Sequence, residues 1–461
     1  MHMKSQNSRL KELLYLARAS LAKPNWVRKY AEVMAHDAWS AEQIRDFNFK
    51  RRLNLLAFAY EHCPYYTKLY KEAGLEPGDV KSEDDWVKIP MLTRDALRFC
   101  YESLKADNLI PGTYQMFTTG GSSGEPSKIL KDQRFAVKAL KWRSSRWAGV
   151  RLGQNMATIM RTHPATNWIG KLRHWAAWFP SVNVILDAGD MTEERIKKFI
   201  EDWRRVKPAI ISSYVGGIHQ LAIYCQEQQI ELPRPIAIFT TAAPLGSIAR
   251  REISNAFHAP VYDSYVATEA HPMADQCQCQ ACSGKRSLHI HDDYFKLEFV
   301  DESGALVPCE EEGDILVTDT GNYAMPIIRY RIGDRGRALK GACECGRPYG
   351  LMDAVKGRSF DFIYLDKGRI MGECWATAFD DCLMAIHNFQ VHQFSDKSVT
   401  LSVVLNKDYA GSESAVRRVA ADLQRQLGAI PLRLEFKDTI PHNRGKSKYI
   451  ISDIKEQEDE V

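Results

Sequence analysis

No apolar run in this 461-residue chain approaches the ~20 residues that a helix needs to cross a bilayer. The first residues, Met1-His2-Met3-Lys4-Ser5, carry no apolar secretory core, so a cytoplasmic protein is expected. Neither sign of charge dominates. The 62 Lys and Arg against 58 Asp and Glu leave +4, which points to no nucleic acid and no acidic membrane surface as partner. There is no internal repeat, and no low-complexity segment beyond the charged tail Lys455–Val461. Neither G-x-x-x-x-G-K-[ST] nor G-x-G-x-x-G occurs at the glycine-rich segment, which excludes those two phosphate-binding loops there. Apolar and charged fractions of 45% and 26% are ordinary for a soluble globular protein. Cysteine is not scarce. Eleven in a chain expected to be cytosolic argue for thiols or a metal rather than disulfides.

The length exceeds what one hydrophobic core usually supports, so at least two domains are expected. Residues 8–75 read as helical, with Leu53, Leu56, Ala57 and Tyr60 at helical spacing. From residue 113 short β-branched runs, such as 157–160, 184–186, 209–212 and 236–240, alternate with helical stretches such as 191–206 and 217–228. That alternation predicts an α/β sheet with crossover helices. Residues 294–339 turn β-rich and predict a smaller sheet or barrel-like subdomain. After Gly357 a new unit begins, with strands at 362–364 and 399–405 and an amphipathic helix at 412–427.

The most informative segment is Phe117-Thr-Thr-Gly-Gly-Ser-Ser-Gly-Glu-Pro-Ser-Lys128. Four hydroxyls and three glycines lie between Thr118 and Glu125. Glycine lets backbone N–H groups approach an anion, and the hydroxyls add donors. Strand-like flanks at 113–117 and 129–130 make it a hairpin-like loop rather than a linker.

A second constellation is Cys277-x-Cys279-x-x-Cys282 with Cys343-x-Cys345-Gly346. Such knuckles aim sulfurs at one point, as a tetrahedral zinc site requires. A structural zinc is expected, held by Cys279, Cys282, Cys343 and Cys345. Cys277 is the substitute, and His289 and His291 are alternative ligands.

Further motifs follow in order: Tyr262-Asp263-Ser264-Tyr265-Val266-Ala267-Thr268-Glu269, Tyr330-Arg331-Ile332-Gly333-Asp334, Lys356-Gly357-Arg358, and Asn443-Arg444-Gly445-Lys446. With the loop they resemble the adenylate-forming superfamily. Residues 57–66 and 89–94 look like the phenylacetate–coenzyme A ligase-like group, closest to its capsular-polysaccharide-associated members. The resemblance covers roughly residues 50–455.

It implies an α/β fold, with a large adenylation domain of several subdomains over 1–357 and a small mobile α+β lid over 358–461. It implies a ligase that joins a small carboxylic acid to ATP, as an acyl-adenylate, and then to a thiol, with coenzyme A as the default acceptor. A carrier-protein thiol or an amine is the alternative acceptor, and a non-catalytic scaffold the alternative class. The resemblance also assigns roles. Thr118, Thr119, Gly120, Gly121, Ser122, Ser123 and Gly124, with Lys128, would hold phosphates. Asp263, Ser264, Tyr265 and Thr268 would line the nucleotide, with Tyr265 against adenine. Glu269 would bind magnesium, Asp334 the ribose, and Arg358 the ribose or a phosphate. Lys446 would bridge the acid carboxylate and the α-phosphate, and residues 357–361 would be the hinge. Two departures stand out. Thr240-Thr241-Ala242-Ala243-Pro244 lacks the usual glutamate, and Phe360 replaces a charged hinge residue.

Overall fold

The computed structural model of the chain describes residues 2–118, 128–134, 137–160, 168–188, 191–355, 362–365, 369–371, 379, 382, 385–440 and 450–454. It divides into two compact units. One comprises Met1–Met156, Asn167–Val182 and Tyr262–Val355, the other Ala157–Thr166, Asn183–Val261 and Lys356–Val461.

The first unit opens with the helices His2–Ala22, Pro24–Ala35, Ala41–His62 and Pro64–Glu72. Local chemistry sets their ends. Ser40 and Gln43 form a reciprocal capping box, with side chain to backbone contacts of 3.1 and 2.8 Å. Pro64 starts the next helix at the position where a missing N–H costs nothing. Helix Ala41–His62 buries Arg52, Leu55, Leu56 and Ala59, while Ala57 is exposed and Leu53 and Tyr60 lie at the margin. The core stripe is thus shifted from the one expected. Arg52 occupies it because its guanidinium donates to Asn48 (2.7 Å) and lies 4.5 Å over the Trp86 ring.

Two antiparallel sheets complete this unit. Strands Phe295–Val300, Gly313–Asp319 and Ile327–Gly336 form one, as the β-rich patterning predicts. In the other, Val261–Ala267 pairs with His271–Asp275, then come Leu288–Ile290, Leu351–Met352 and Ala338–Leu339. The hairpin Tyr114–Thr118 with Lys128–Asp132 carries the hydroxyl- and glycine-rich loop, as its flanks predict.

In the second unit Ile210–Tyr214 and Ala237–Thr241 pair in parallel. Helices Glu193–Val206, Val215–Glu227 and Ser247–Phe257 pack on them through Phe199, Trp203, Ile218 and Ile253. This is the α/β crossover pattern the alternation predicts. Ala242, in the segment lacking the expected glutamate, has a left-handed φ of 73°. Near the C-terminus, Ile386–Gln393 and Val399–Leu405 pair antiparallel and are flanked in parallel by Ile450–Ser452 and Leu432–Phe436. Helix Ser412–Leu427 packs on this sheet. Among the described residues no helix is long and apolar enough to cross a membrane.

Candidate active site and metal centre

Strands Val261–Ala267 and His271–Asp275 are joined by a tight turn, and that turn presents Thr268 and Glu269, both half-buried. The hairpin is pinned from behind. Gln276 accepts from the Asp263 backbone N–H (2.9 Å) and donates to Lys285 O (2.6 Å). Asp275 accepts from Ser144 Oγ (2.6 Å) and is bonded to His291 Nε2 (2.8 Å). His271 takes a left-handed φ of 57° as the chain leaves the turn.

Asp334 arrives from a different sheet. Its strand, Ile327–Gly336, is anchored by buried Arg329, which donates to Glu298 (3.1 Å) and to Val87 O (2.6 Å). Asp334 Oδ2 accepts a 2.9 Å hydrogen bond from the Tyr265 hydroxyl. Two motifs 69 residues apart therefore meet. The Tyr265 ring is buried in the unit's core beside Ala270 and Met273. Asp263 is buried and Ser264 half-buried on the same strand.

Lys128 stands exposed at the start of its strand. Lys131, three residues on, was not anticipated and is buried. Its ammonium sits 5.5 Å over the Phe117 ring, whose edge meets His271 at 6.3 Å. Burial presses the Lys131 amine down to about 8, with Asp319 and Glu269 pulling the other way. Burial raises Asp319 to about 6, against a 2.8 Å hydrogen bond from Gly321 N and the charge of Lys131. Its strand reads Lys128-Ile-Leu-Lys-Asp132, three charged residues in five, so no local signal singled Lys131 out. Thr119, Gly120, Gly121, Ser122, Ser123, Gly124, Arg358 and Lys446 lie outside the described residues, as does the Thr118 side chain.

The cysteines assemble differently from the four-thiolate expectation. Cys277, His289, Cys343 and Cys345 converge, with one ligand atom from each within 4.8 Å of the others. Cys277 Sγ is 3.6 Å from Cys343 Sγ, and Cys345 Sγ is 3.2 Å from His289 Nε2. Cys279 and Cys282 are exposed and outside this group. The reason is local: Cys277 caps the short helix Gln278–Cys282, which carries the other two away. His289 enters because its strand pairs with Leu351, just beyond the Cys343–Cys345 turn. Burial pushes the Cys277 thiol up to about 12. It is the largest effect on Cys345 too, but hydrogen bonds from His289 and from the Arg347 backbone and side chain together outweigh it and bring that thiol down to about 5.

His291, the other proposed ligand, is committed elsewhere. Arg143 donates to its Nδ1 (2.6 Å), which leaves the Nε2 proton for Asp275. Burial, then Arg143, lowers its pKa, so the ring is neutral. Arg143 also pairs with buried Asp293, which in turn holds His36 at 2.7 Å. Trp147 separates this ionic layer from the cysteines, with ring centroids 5.5 Å from His289 and 5.6 Å from His291.

No protein-family profile matches the chain. The phenylacetate-coenzyme A ligase of Thermus thermophilus is 25% identical over 330 residues, covering 70% of this chain and 72% of its own. That of Pseudomonas putida is 22% identical over 437 residues, 89% of this chain and 94% of its own. Protein CapK of Staphylococcus aureus is 24% identical over 289 residues, 61% of each chain. Among solved structures, a 2-hydroxyisobutyryl-CoA ligase in its postadenylation state superposes with a TM-score of 0.74 at 18% identity, covering 91% of both chains. In sequence the chain is thus similar to phenylacetate-coenzyme A ligases, and in fold to the 2-hydroxyisobutyryl-CoA ligase.

Proposed function

We propose that this protein activates a small carboxylic acid with ATP and passes the acyl group to the thiol of coenzyme A. The observation that carries the reading is the Tyr265–Asp334 hydrogen bond. It unites the two motifs expected to hold adenosine, beside the turn that presents Thr268 and Glu269. Supporting it are relatives named phenylacetate-coenzyme A ligase, two of them matched over 72% and 94% of their own lengths.

In this reading Asp334 accepts from the ribose hydroxyls, and Tyr265, Asp263 and Ser264 line the nucleotide. The loop Thr118–Gly124 and Lys128 hold the β- and γ-phosphates. Glu269 is a hard carboxylate suited to magnesium, which would neutralise phosphate charge when bound. An acid oxygen attacks the α-phosphorus and pyrophosphate leaves. Lys446 stabilises the crowded anionic transition state, and Arg358 assists at the nucleotide. The coenzyme A sulfur then attacks the acyl carbon and AMP leaves. Residues 1–357 and 358–461 remain the proposed division into body and lid.

We further assign a structural zinc to Cys277, His289, Cys343 and Cys345. Ligand atoms around a tetrahedral zinc stand about 3–4 Å apart, and the sulfur–sulfur and sulfur–nitrogen distances of 3.6 and 3.2 Å fit. The donor set of three thiols and one imidazole suits it. The described cysteines are all free, which supports a reducing, cytoplasmic setting.

Acid-dependent exchange of labelled pyrophosphate into ATP, screened over an acid library, tests the first half-reaction. No exchange with any acid, from protein that binds ATP, leaves the non-catalytic scaffold reading. AMP release that depends on coenzyme A, rather than on a carrier protein or an amine, tests the acceptor.

A further inference from the structure

The sequence concentrates tryptophan where the structure does not bury it. On helix Trp168–Trp178, Trp168 is 73% and Trp175 56% exposed. Ile169, Leu172 and, just past the helix, Phe179 are exposed as well. Positions 168, 172, 175 and 179 follow helical spacing, so they form one stripe, and that stripe faces outward. Helix His2–Ala22 repeats the pattern. Leu10, Leu13, Leu14 and Leu21 are exposed, Leu21 at 90%.

The two helices touch. Arg18 donates through both terminal nitrogens to the carbonyls of Ala176 and Ala177, the second at 3.0 Å, where a cation satisfies a helix C-terminus. The N-terminal helix is held by its other face. Glu12 is buried and pairs with Arg146 and Arg151 at 2.5 and 2.9 Å. A Cβ on Gly153 would lie 2.5 Å from Lys11 O, so the backbones meet closely there, and Gly153 has a φ of +78°. These contacts fix which side of the helix is covered. The leucines are left outside by construction, not by fraying.

Charge says what covers them. Between Asp132 and Asp187 the chain holds no acidic residue and nine Lys and Arg, of which Arg134, Arg143, Arg146 and Arg151 are paired with Asp132, Asp293 and Glu12. In helix His2–Ala22 the sole carboxylate is Glu12, which is consumed by its pairs. Exposed Arg9, Lys23 and Arg173 border the apolar stripes. A second copy of this surface would set like charges against each other. An anionic bilayer would not, and its headgroup layer is where tryptophan beside aliphatic and basic side chains settles.

Although the net charge of the whole chain points to no acidic membrane surface, the local distribution does, and we propose that helices His2–Ala22 and Trp168–Trp178 form a peripheral docking surface for an anionic lipid bilayer. The surface lies in the headgroup layer without spanning the membrane. It acts independently of the proposed chemistry, and would bring the enzyme to a membrane carrying its acid or its acceptor.

The test is co-sedimentation of the full-length protein with phosphatidylcholine vesicles, with and without phosphatidylglycerol, at low and high salt. Binding should require phosphatidylglycerol and weaken as salt screens the cations. The double variant Trp168→Ala/Trp175→Ala should bind about tenfold or more weakly, with an unchanged melting temperature because both side chains are solvated. Leu13→Ser/Leu14→Ser should do the same from the other helix. Equal binding to neutral vesicles, no binding at all, or full binding by both variants overturns the proposal. So does a lipid-free dimer in sedimentation velocity that the same variants make monomeric, since the stripes would then be a subunit interface.

Discussion

Lys131 and Asp319 are held ionised against their surroundings. Burial lowers the lysine from 10.5 to about 8 and raises the aspartate from 3.8 to about 6. Side chains that oppose their environment in this way gather where a protein needs charge for a ligand. The sign of the linkage is checkable. Between about 8 and 10.5 the unfolded chain holds a proton on Lys131 that the folded chain has lost, so stability rises with pH across that window. Lys131→Met should lose this component, seen as the difference between urea-melt stabilities of parent and variant at each end of the window. A difference that does not change with pH would mean the amine titrates normally. Glu269, which faces the same lysine, belongs to the proposed chemistry. Glu269→Gln should raise the magnesium needed for half-maximal pyrophosphate exchange about tenfold or more while leaving the melt unchanged. An unaltered magnesium titration removes Glu269 from the site. Motif spacing could name Glu269 and Asp334, because their roles belong to short segments. It named Lys128, the exposed lysine closing the loop, and passed over Lys131. The environment of a single strand residue depends on neighbours outside the local pattern: Phe117 across the hairpin, and Asp319 and Glu269 far along the chain.

At the scale of elements, local patterns were readable and long-range pairings were not. Strand Val399–Leu405 and helix Ser412–Leu427 could be read because alternation and amphipathic spacing are properties of a dozen residues or fewer. The cysteine cluster shows the opposite case. A Cys-x-x-Cys spacing favoured Cys279 and Cys282, but the helix Gln278–Cys282 exposes both. The pairing of Leu351 with His289 recruits a histidine whose distance from Cys345 in sequence gives no hint of contact. If the zinc assignment is right, the metal ties three separate segments: the start of that helix, the strand of His289 and the Cys343–Cys345 turn. Such a cross-link acts as a disulfide does, so removing it should lower the melting temperature by about 5–10 °C. Cys343→Ser should lose the metal by elemental analysis and melt early, whereas Cys279→Ser should keep both metal and stability. Metal-free protein as stable as the parent would reduce the four side chains to buried thiols beside a histidine.

At the scale of the molecule, the proposed chemistry asks one chain to perform two attacks on different atoms, first at phosphorus and then at carbon. Contact grouping sets residues 356–461 with 157–166 and 183–261. The proposed lid boundary at 357/358 therefore rests on the Gly357-Arg358 motif and not on how the chain packs. What can be decided is whether Lys446 serves both steps. A cation aimed at the phosphoryl transition state is worth several kcal/mol, because it acts where charge accumulates and not in the ground state. Lys446→Ala should therefore slow adenylate formation at least about a hundredfold. The second attack expels AMP from an adenylate that already exists, and develops its charge at the acyl carbon. If residues 357–361 are a hinge that withdraws the lysine between the steps, thioester formation from synthetic acyl-adenylate should survive in Lys446→Ala nearly intact. The two half-reactions can be measured separately on the same preparation, one by pyrophosphate exchange and the other by consumption of the coenzyme A thiol. Equal loss in both would mean that Lys446 stays in one site throughout, and the hinge would have to be given up.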